Sequence, residues 1–276
     1  VTQPDSIAVF SGGLDSTTMV YGMLDSGKTP HLLSFNYGQR HKKELVFAER
    51  TAQLLGLRWD CIDLSGITGL ISNSALTSKG REDWSDAQAI APGFVGPIYD
   101  AEIEVPEGHY AEDNMKATVV PNRNMIMLSI AAGVAVNNSY DSVYTAVHAG
   151  DHFVYPDCRP QFIMATNAAA VLGNEGFGAL PKLEELQAVP SFIMAPYLNI
   201  SKADIASEAI RLKVPFENTW SCYKGESMHC GKCGTCVERL EAIHEAHVKA
   251  NILSPENWKD NTKYADADFW KQAVTK

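Results

Sequence analysis

Short apolar runs alternate with longer stretches whose apolar residues recur at helical spacing. Residues 7–10 (IAVF) form the first run, and a helical pattern follows over about 15–26, stopping at Gly27. Residues 31–36 predict a second strand. A helix over about 42–55 ends at Gly56, and residues 59–64 predict a third strand. Further on, the pattern predicts a helix over about 124–136, a strand over 142–147 and a helix over 160–172. Ser201 with Asp204 three positions on predicts a capped helix start, with the helix running to Leu212. Continuous apolar strands separated by helices predict a parallel sheet covered on both faces. Such a sheet carries its site beyond the carboxyl ends of its strands. That rule selects four loops: 11–16, 36–41, 121–124 and 148–159.

Two stretches break the alternation. Residues from about 66 to 120 are rich in Gly, Pro, Ser and Asp with little periodicity, and predict a long excursion that could act as a lid. After about residue 214 the chain becomes cysteine-rich and then a charged helix. The expected organisation is an α/β domain over 1–213 and a small module with a helical tail over 214–276.

Composition narrows the function. The chain has 276 residues, 45% hydrophobic and 20% charged, as in ordinary soluble domains. Its formal charge of −10 argues against a nucleic-acid partner. The opening residues lack a basic start and a long apolar core, and no run is long enough for a membrane span. A reducing, cytoplasmic setting is therefore expected. Of six cysteines, Cys222, Cys230, Cys233 and Cys236 lie together, separated by seven, two and two residues. Four thiolates at that spacing suit a closed tetrahedral Zn²⁺ site. An iron–sulfur cluster is the rival, but the C-x3-C-P ending of the ferredoxin run is absent. His229 could compete as a ligand. Cys61 is expected in the core, whereas Cys158 lies in a candidate site loop.

The loop SGGLDST is neither a Walker A motif nor a dinucleotide fingerprint. It still suits an anion: Gly12 and Gly13 let backbone N–H groups turn inward, and the following helix adds its positive end. Ser11 and Ser16 add hydroxyl groups. A carboxylate there, Asp15, suits Mg²⁺ or a capping role. VVPNRN, 119–124, sets Arg123 and Asn124 at a helix start, where a guanidinium can grip carboxylate or phosphate. GDHFVYPDCR, 150–159, brings Asp151, Asp157 and Arg159 to a strand end.

Ser-Gly-Gly-x-Asp-Ser after an apolar strand resembles the loop of the ATP pyrophosphatases. The further segments SFNYGQRH, SALT, VVPNRN, GDHFVYPDCR and WSCYKGESMHCGKCGTC resemble one branch of them, the 7-cyano-7-deazaguanine synthases. The likeness runs from residue 10 to 236. It implies a doubly wound, Rossmann-like sheet of the adenine nucleotide α-hydrolase type with a zinc module. It implies ATP held by Phe10, Ser11, Gly12, Gly13, Leu14, Asp15, Ser16 and Thr17, so that the α-phosphate is attacked and pyrophosphate leaves. The substrates implied are 7-carboxy-7-deazaguanine, free ammonia and ATP with Mg²⁺, and the assembly a homodimer. Asp15, Arg123, Asp151, Asp157 and Arg159 are the candidate catalytic residues. Among these, Asp151 or Asp157 suits the guanine edge, and Arg123 or Arg159 the substrate carboxylate or α-phosphate. Another adenylating enzyme of the superfamily, such as a tRNA sulfur transferase, is the alternative. Two departures stand out: residues 79–101 look longer than the family pattern, and Asn122 replaces its usual glycine.

Overall fold

A computed structural model describes residues 3–67, 74–77, 104–182, 184, 188–252, 254, 257 and 260–273. Of the predicted excursion over about 66–120, residues 68–73 and 78–103, which include the stretch 79–101, lie outside the described residues. The strands are β1 (Ser6–Val9), β2 (Pro30–Asn36), β3 (Trp59–Asp63), β4 (Ser142–Tyr144) and β5 (Ile193–Met194). They form one parallel sheet in the order β3-β2-β1-β4-β5. The helices are α1 (Leu14–Asp25), α2 (Lys43–Leu55), α3 (Glu112–Met115), α4 (Arg123–Asn137), α5 (Pro160–Leu172), α6 (Lys202–Arg211), α7 (Gly234–Lys249) and α8 (Phe269–Ala273).

The two-residue period of the strands sorts their side chains into two cores. Ala8, Phe10 and Leu32 pack with Met19 and Val20 of α1, Ala48 and Ala52 of α2, and Ile205 of α6. Ile7, Leu33, Phe35 and Val143 pack on the other face with Leu128, Ala131 and Ala135 of α4 and Ile163 of α5. Register pairs Ala8 with Leu32 and with Tyr144, so one face stays in line across the sheet. The strand predicted over 142–147 stops at Tyr144, opposite Met194, the last residue of β5. Thr145 still donates to the Met194 carbonyl of β5 (2.9 Å), and the chain then turns into the site loops.

Edge position decides Cys61. Expected in the core, it is exposed, because β3 is the outermost strand and Asp60, Cys61 and Asp63 meet solvent. The capped start predicted at Ser201 is present: its Oγ accepts from Asp204 N (3.2 Å), and Asp204 Oδ2 accepts from Ser201 N (3.1 Å). Asn122, where the family pattern has glycine, sits just before α4 at φ 59 and ψ 14. That left-handed conformation favours glycine and also tolerates asparagine. α7 does not stand apart from the sheet domain. Its Ala242, Ile243 and Ala246 bury against Ala206 and Ala209 of α6 and Leu14 of α1. No helix among the described residues is long and apolar enough to cross a membrane.

Candidate active site

The glycine-rich loop leaves β1 at the carboxyl end of the sheet and enters α1. Gly12 has φ +78, and a Cβ there would lie 2.7 Å from both Ala48 N and Glu44 O. Only glycine lets the loop lie this close to α2. Gly13 occupies the N-cap position, and no side chain caps the first turn of α1. The N-terminal end of α1 therefore faces the cavity with its dipole and without a capping side chain, the arrangement that receives a phosphate. Ser11 Oγ accepts from Gly13 N (3.2 Å), and Ser11 N donates to Ser16 Oγ (3.3 Å), which set the loop's shape.

A cavity of about 240 Å³ opens over this loop. Phe10, Ser11, Gly13, Leu14, Asp15 and Ser16 line it, and so do Arg123 and Asp151. Gly12 and Thr17 do not: one packs on α2, and the other is buried in α1. Asp157 and Arg159 also stay off the wall. Asp157 Oδ2 accepts from Asn124 N (3.2 Å) and so caps α4 from a distant segment. Arg159 is exposed and donates to the His152 carbonyl (2.7 Å).

Two polar clusters share the cavity. In the first, Lys202 Nζ meets Asp15 Oδ2 at 2.5 Å and Glu238 Oε2 at 3.7 Å. His148 Nε2 lies 3.4 Å from Asp151 Oδ2 and 3.9 Å from Asp15 Oδ2. Tyr110 donates to Asp151 Oδ1 (3.1 Å). Burial works to raise the Asp15 carboxyl, but Lys202 and His148 outweigh it and hold it below its ordinary range. Burial likewise opposes the charge on Lys202, and Asp15, Glu238 and Asp151 overcome it. Lys202, His148 and Glu238 were not singled out from the sequence. Lys202 reads there as the first residue of a capped helix, and Glu238 as part of a charged tail.

In the second cluster Gln39 Nε2 donates to Glu44 Oε1 (3.0 Å), and His41 Nε2 lies 3.4 Å from Glu44 Oε2. Burial drives His41 down to about 3, with the Arg123 charge adding to it. Burial pushes Glu44 up to about 7, partly offset by Gln39 and Arg123. Arg123 is itself half-buried and lies over the Tyr37 ring at 5.8 Å. Burial opposes its charge, but the Tyr37, Tyr223 and Tyr155 hydroxyls and Asp157 keep it firmly protonated. Cys158 lines the cavity as a buried thiol, and burial pushes its pKa well up, which leaves little thiolate for nucleophilic attack.

The raised Glu44 carboxyl has a consequence for stability. Because the folded state holds this proton more tightly than the ordinary 4.5, folding loses stability as pH rises from there through about 7. The full cost, roughly 3 kcal/mol, stands above that window. Glu44→Gln is expected to be more stable than the parent near pH 8, with the advantage fading towards pH 5, in urea unfolding at both. An equal difference at the two pH values would contradict the burial described.

Cys222, Cys230, Cys233 and Cys236 are buried, with all four sulfurs within 4.8 Å of one another. Cys230 N donates to Cys222 Sγ (3.4 Å), and Cys233 N (3.2 Å) and Lys232 N (3.4 Å) donate to Cys230 Sγ. Backbone N–H groups aimed at sulfur favour thiolates, and four thiolates packed this closely need a cation; the set fits Zn²⁺. His229 takes no part, since its Nε2 accepts from Ser221 N (3.1 Å) and its ring packs on Trp220. The module reaches the active site directly. Trp220 N donates to the Gly12 carbonyl (2.9 Å), and Trp220, Ser221, Tyr223 and Thr235 line the cavity.

A parallel sheet with an anion nest at its carboxyl end defines a nucleotide-handling α/β protein. The family model described as queuosine biosynthesis protein QueC matches residues 5–95 and 94–247, and the chain belongs to that family. A relative from Chelativorans sp., "7-cyano-7-deazaguanine synthase", is 44% identical over 98% of both chains. Relatives of the same name from Rhizobium johnstonii (44%; 98% of this chain, 96% of the relative) and Brucella ovis (42%; 98% of both) match similarly. A solved NMN synthetase from Francisella tularensis superposes with a TM-score of only 0.36 at 12% identity, over 97% of this chain and 84% of its own, too distant to bear on function.

Proposed function

We propose that the chain converts 7-carboxy-7-deazaguanine, ammonia and ATP into 7-cyano-7-deazaguanine in queuosine precursor synthesis. The observation that carries this is the uncapped start of α1 facing one cavity with Asp15, Lys202 and Arg123, in a member of the QueC family. In the first half-reaction the substrate carboxylate attacks the α-phosphorus of ATP. Pyrophosphate leaves into the N–H nest of the loop, where Lys202 offsets its growing charge. Ammonia then adds to the acyl carbon, and AMP departs to leave the amide. In the second, the amide oxygen attacks a second ATP in the same way, pyrophosphate leaves, and loss of both N–H protons and AMP leaves the nitrile. Arg123 is the cation placed to meet the carboxylate or the α-phosphate. The enzyme contributes placement and charge, and no covalent enzyme intermediate is needed.

Mg²⁺ fits the first cluster. Asp15 Oδ1 is buried without a partner, and of the three carboxyl groups there Asp15 and Glu238 share Lys202 while Asp151 faces His148. A hard divalent ion bound by one or two carboxylates and the phosphates suits that donor set and would neutralise phosphate charge. Exposed Met164 and Leu172 on α5, with Phe177 just beyond, support a homodimer, which a monomer mass in light scattering would overturn. We place this enzyme in the cytoplasm, where its four reduced thiols persist; export with those thiols oxidised would contradict it.

Incubation with ATP, ammonium and the carboxy-deazaguanine is expected to yield the nitrile and two AMP per nitrile. AMP formation that requires tRNA and transfers sulfur would instead favour the other adenylating reading.

A further inference from the structure

We propose that Glu44 and His41 read the pyrimidine-ring edge of the deazaguanine, Glu44 accepting both its ring N–H and its exocyclic amine. This rests on the reaction proposed above. Both side chains line the cavity beside the phosphate loop, and the close approach of Gly12 to the Glu44 carbonyl fixes where α2 begins. Gln39 holds the carboxyl in place. Its Nε2 donates to Glu44 Oε1 (3.0 Å) and to the Phe35 carbonyl (3.1 Å), while its Oε1 accepts from Tyr37 N (2.9 Å). The carboxyl is thus pre-positioned, with acceptor capacity left on both oxygens.

A second observation points to a ligand. His41 is 3% exposed, and its Nδ1 is buried without any hydrogen-bond partner. Buried polar atoms are nearly always paired, so an unmatched one on a cavity wall calls for a ligand atom. With Nε2 turned to Glu44 Oε2 (3.4 Å) as the N–H, Nδ1 is left as an acceptor and can take the second N–H of the exocyclic amine. The nearby aromatic walls, Phe10, Phe35, Tyr37 and Tyr223, suit a flat bicyclic ring.

The match favours the deazaguanine over the adenine of ATP. A guanine-type edge presents two adjacent donors, which one carboxylate can accept together. An adenine edge presents one donor beside an acceptor, so a carboxylate satisfies only half of it. The other acid expected to read this edge, Asp151, already receives Tyr110 on Oδ1 and faces His148 with Oδ2. Asp157 is absent from the cavity wall.

The test is titration of the wild type and Glu44→Gln with three ligands. These are carboxy-deazaguanine, its analogue lacking the 2-amine, and ATP. Glu44→Gln is expected to weaken carboxy-deazaguanine about 10- to 100-fold, the loss for a buried donor left unpaired, with ATP binding within about twofold. Wild type should prefer the amine-bearing compound, and the variant should lose most of that preference. Unchanged deazaguanine affinity in the variant overturns the assignment. Selective loss of ATP binding also overturns it and places the adenine there, and equal loss of both ligands overturns it as a packing effect. Equal wild-type affinity for the two deazaguanines overturns it without recourse to any variant. If wild type makes the nitrile while the variant binds normally, only the edge assignment fails. If wild type neither binds the deazaguanine nor makes nitrile, the reaction falls and this assignment with it.

Discussion

Asp15→Asn is expected to lower AMP formation by about 100-fold or more, because it removes the carboxylate that would hold Mg²⁺ and that positions Lys202 where phosphate charge develops. The carboxylate is held ionised by Lys202 and His148 against the pull of burial. Asparagine keeps the shape but leaves Lys202 with Glu238 at 3.7 Å as its nearest remaining counter-charge. It also cannot serve a divalent ion as a carboxylate does. Because the Asp15 side chain is 23% exposed, the fold should survive, with melting lowered by a few degrees. Anion-exchange measurement of AMP, with a thermal melt of the same sample, checks both parts. AMP release within about twofold of wild type would remove Asp15 from the chemistry.

The second large effect concerns the cysteine cluster. Purified protein is expected to hold about one Zn²⁺ per chain and to be colourless. Cys233→Ser should lose the metal and lower the melting temperature by about 10 °C or more, since a structural site contributes folding free energy outright. Elemental analysis and calorimetry read the two effects. Iron with acid-labile sulfide in a brown protein would establish the cluster reading in place of zinc. The variant should lose catalysis as well, because Trp220, two residues before Cys222, bonds the Gly12 carbonyl and lines the cavity.

The long elements were legible because each carries many periods of its pattern. β2 is a buried, mostly apolar run, and α4 repeats its leucine and alanines (Leu128, Ala131, Ala132, Ala135) on one face over about two turns. Two-residue β5 and four-residue α3 carry too few periods to register. Cys61 shows the limit for burial: its neighbours look like core, but edge position is a property of strand order. The loop and the cysteines were readable because their spacing is local. Lys202 and Glu238 reach Asp15 only when α6 and α7 pack against α1, and nothing in their neighbouring residues announces that. Asp157 and Arg159 had the right chemistry in the right loop, yet local turns aim one at α4 and the other at a carbonyl.

The bond from Trp220 N to the Gly12 carbonyl couples two sites that otherwise share no ligand. Binding couplings run both ways. If losing zinc loosens the nucleotide loop, a bound nucleotide must tighten the hold on zinc by the same factor. Metal retention then becomes a gauge of active-site occupancy, readable without any turnover. ATP should raise the chelator concentration that withdraws half the zinc at equilibrium, and equal midpoints with and without ATP would show that the two sites are not coupled. In a cell short of zinc, chains engaged with nucleotide would be the last to lose their metal.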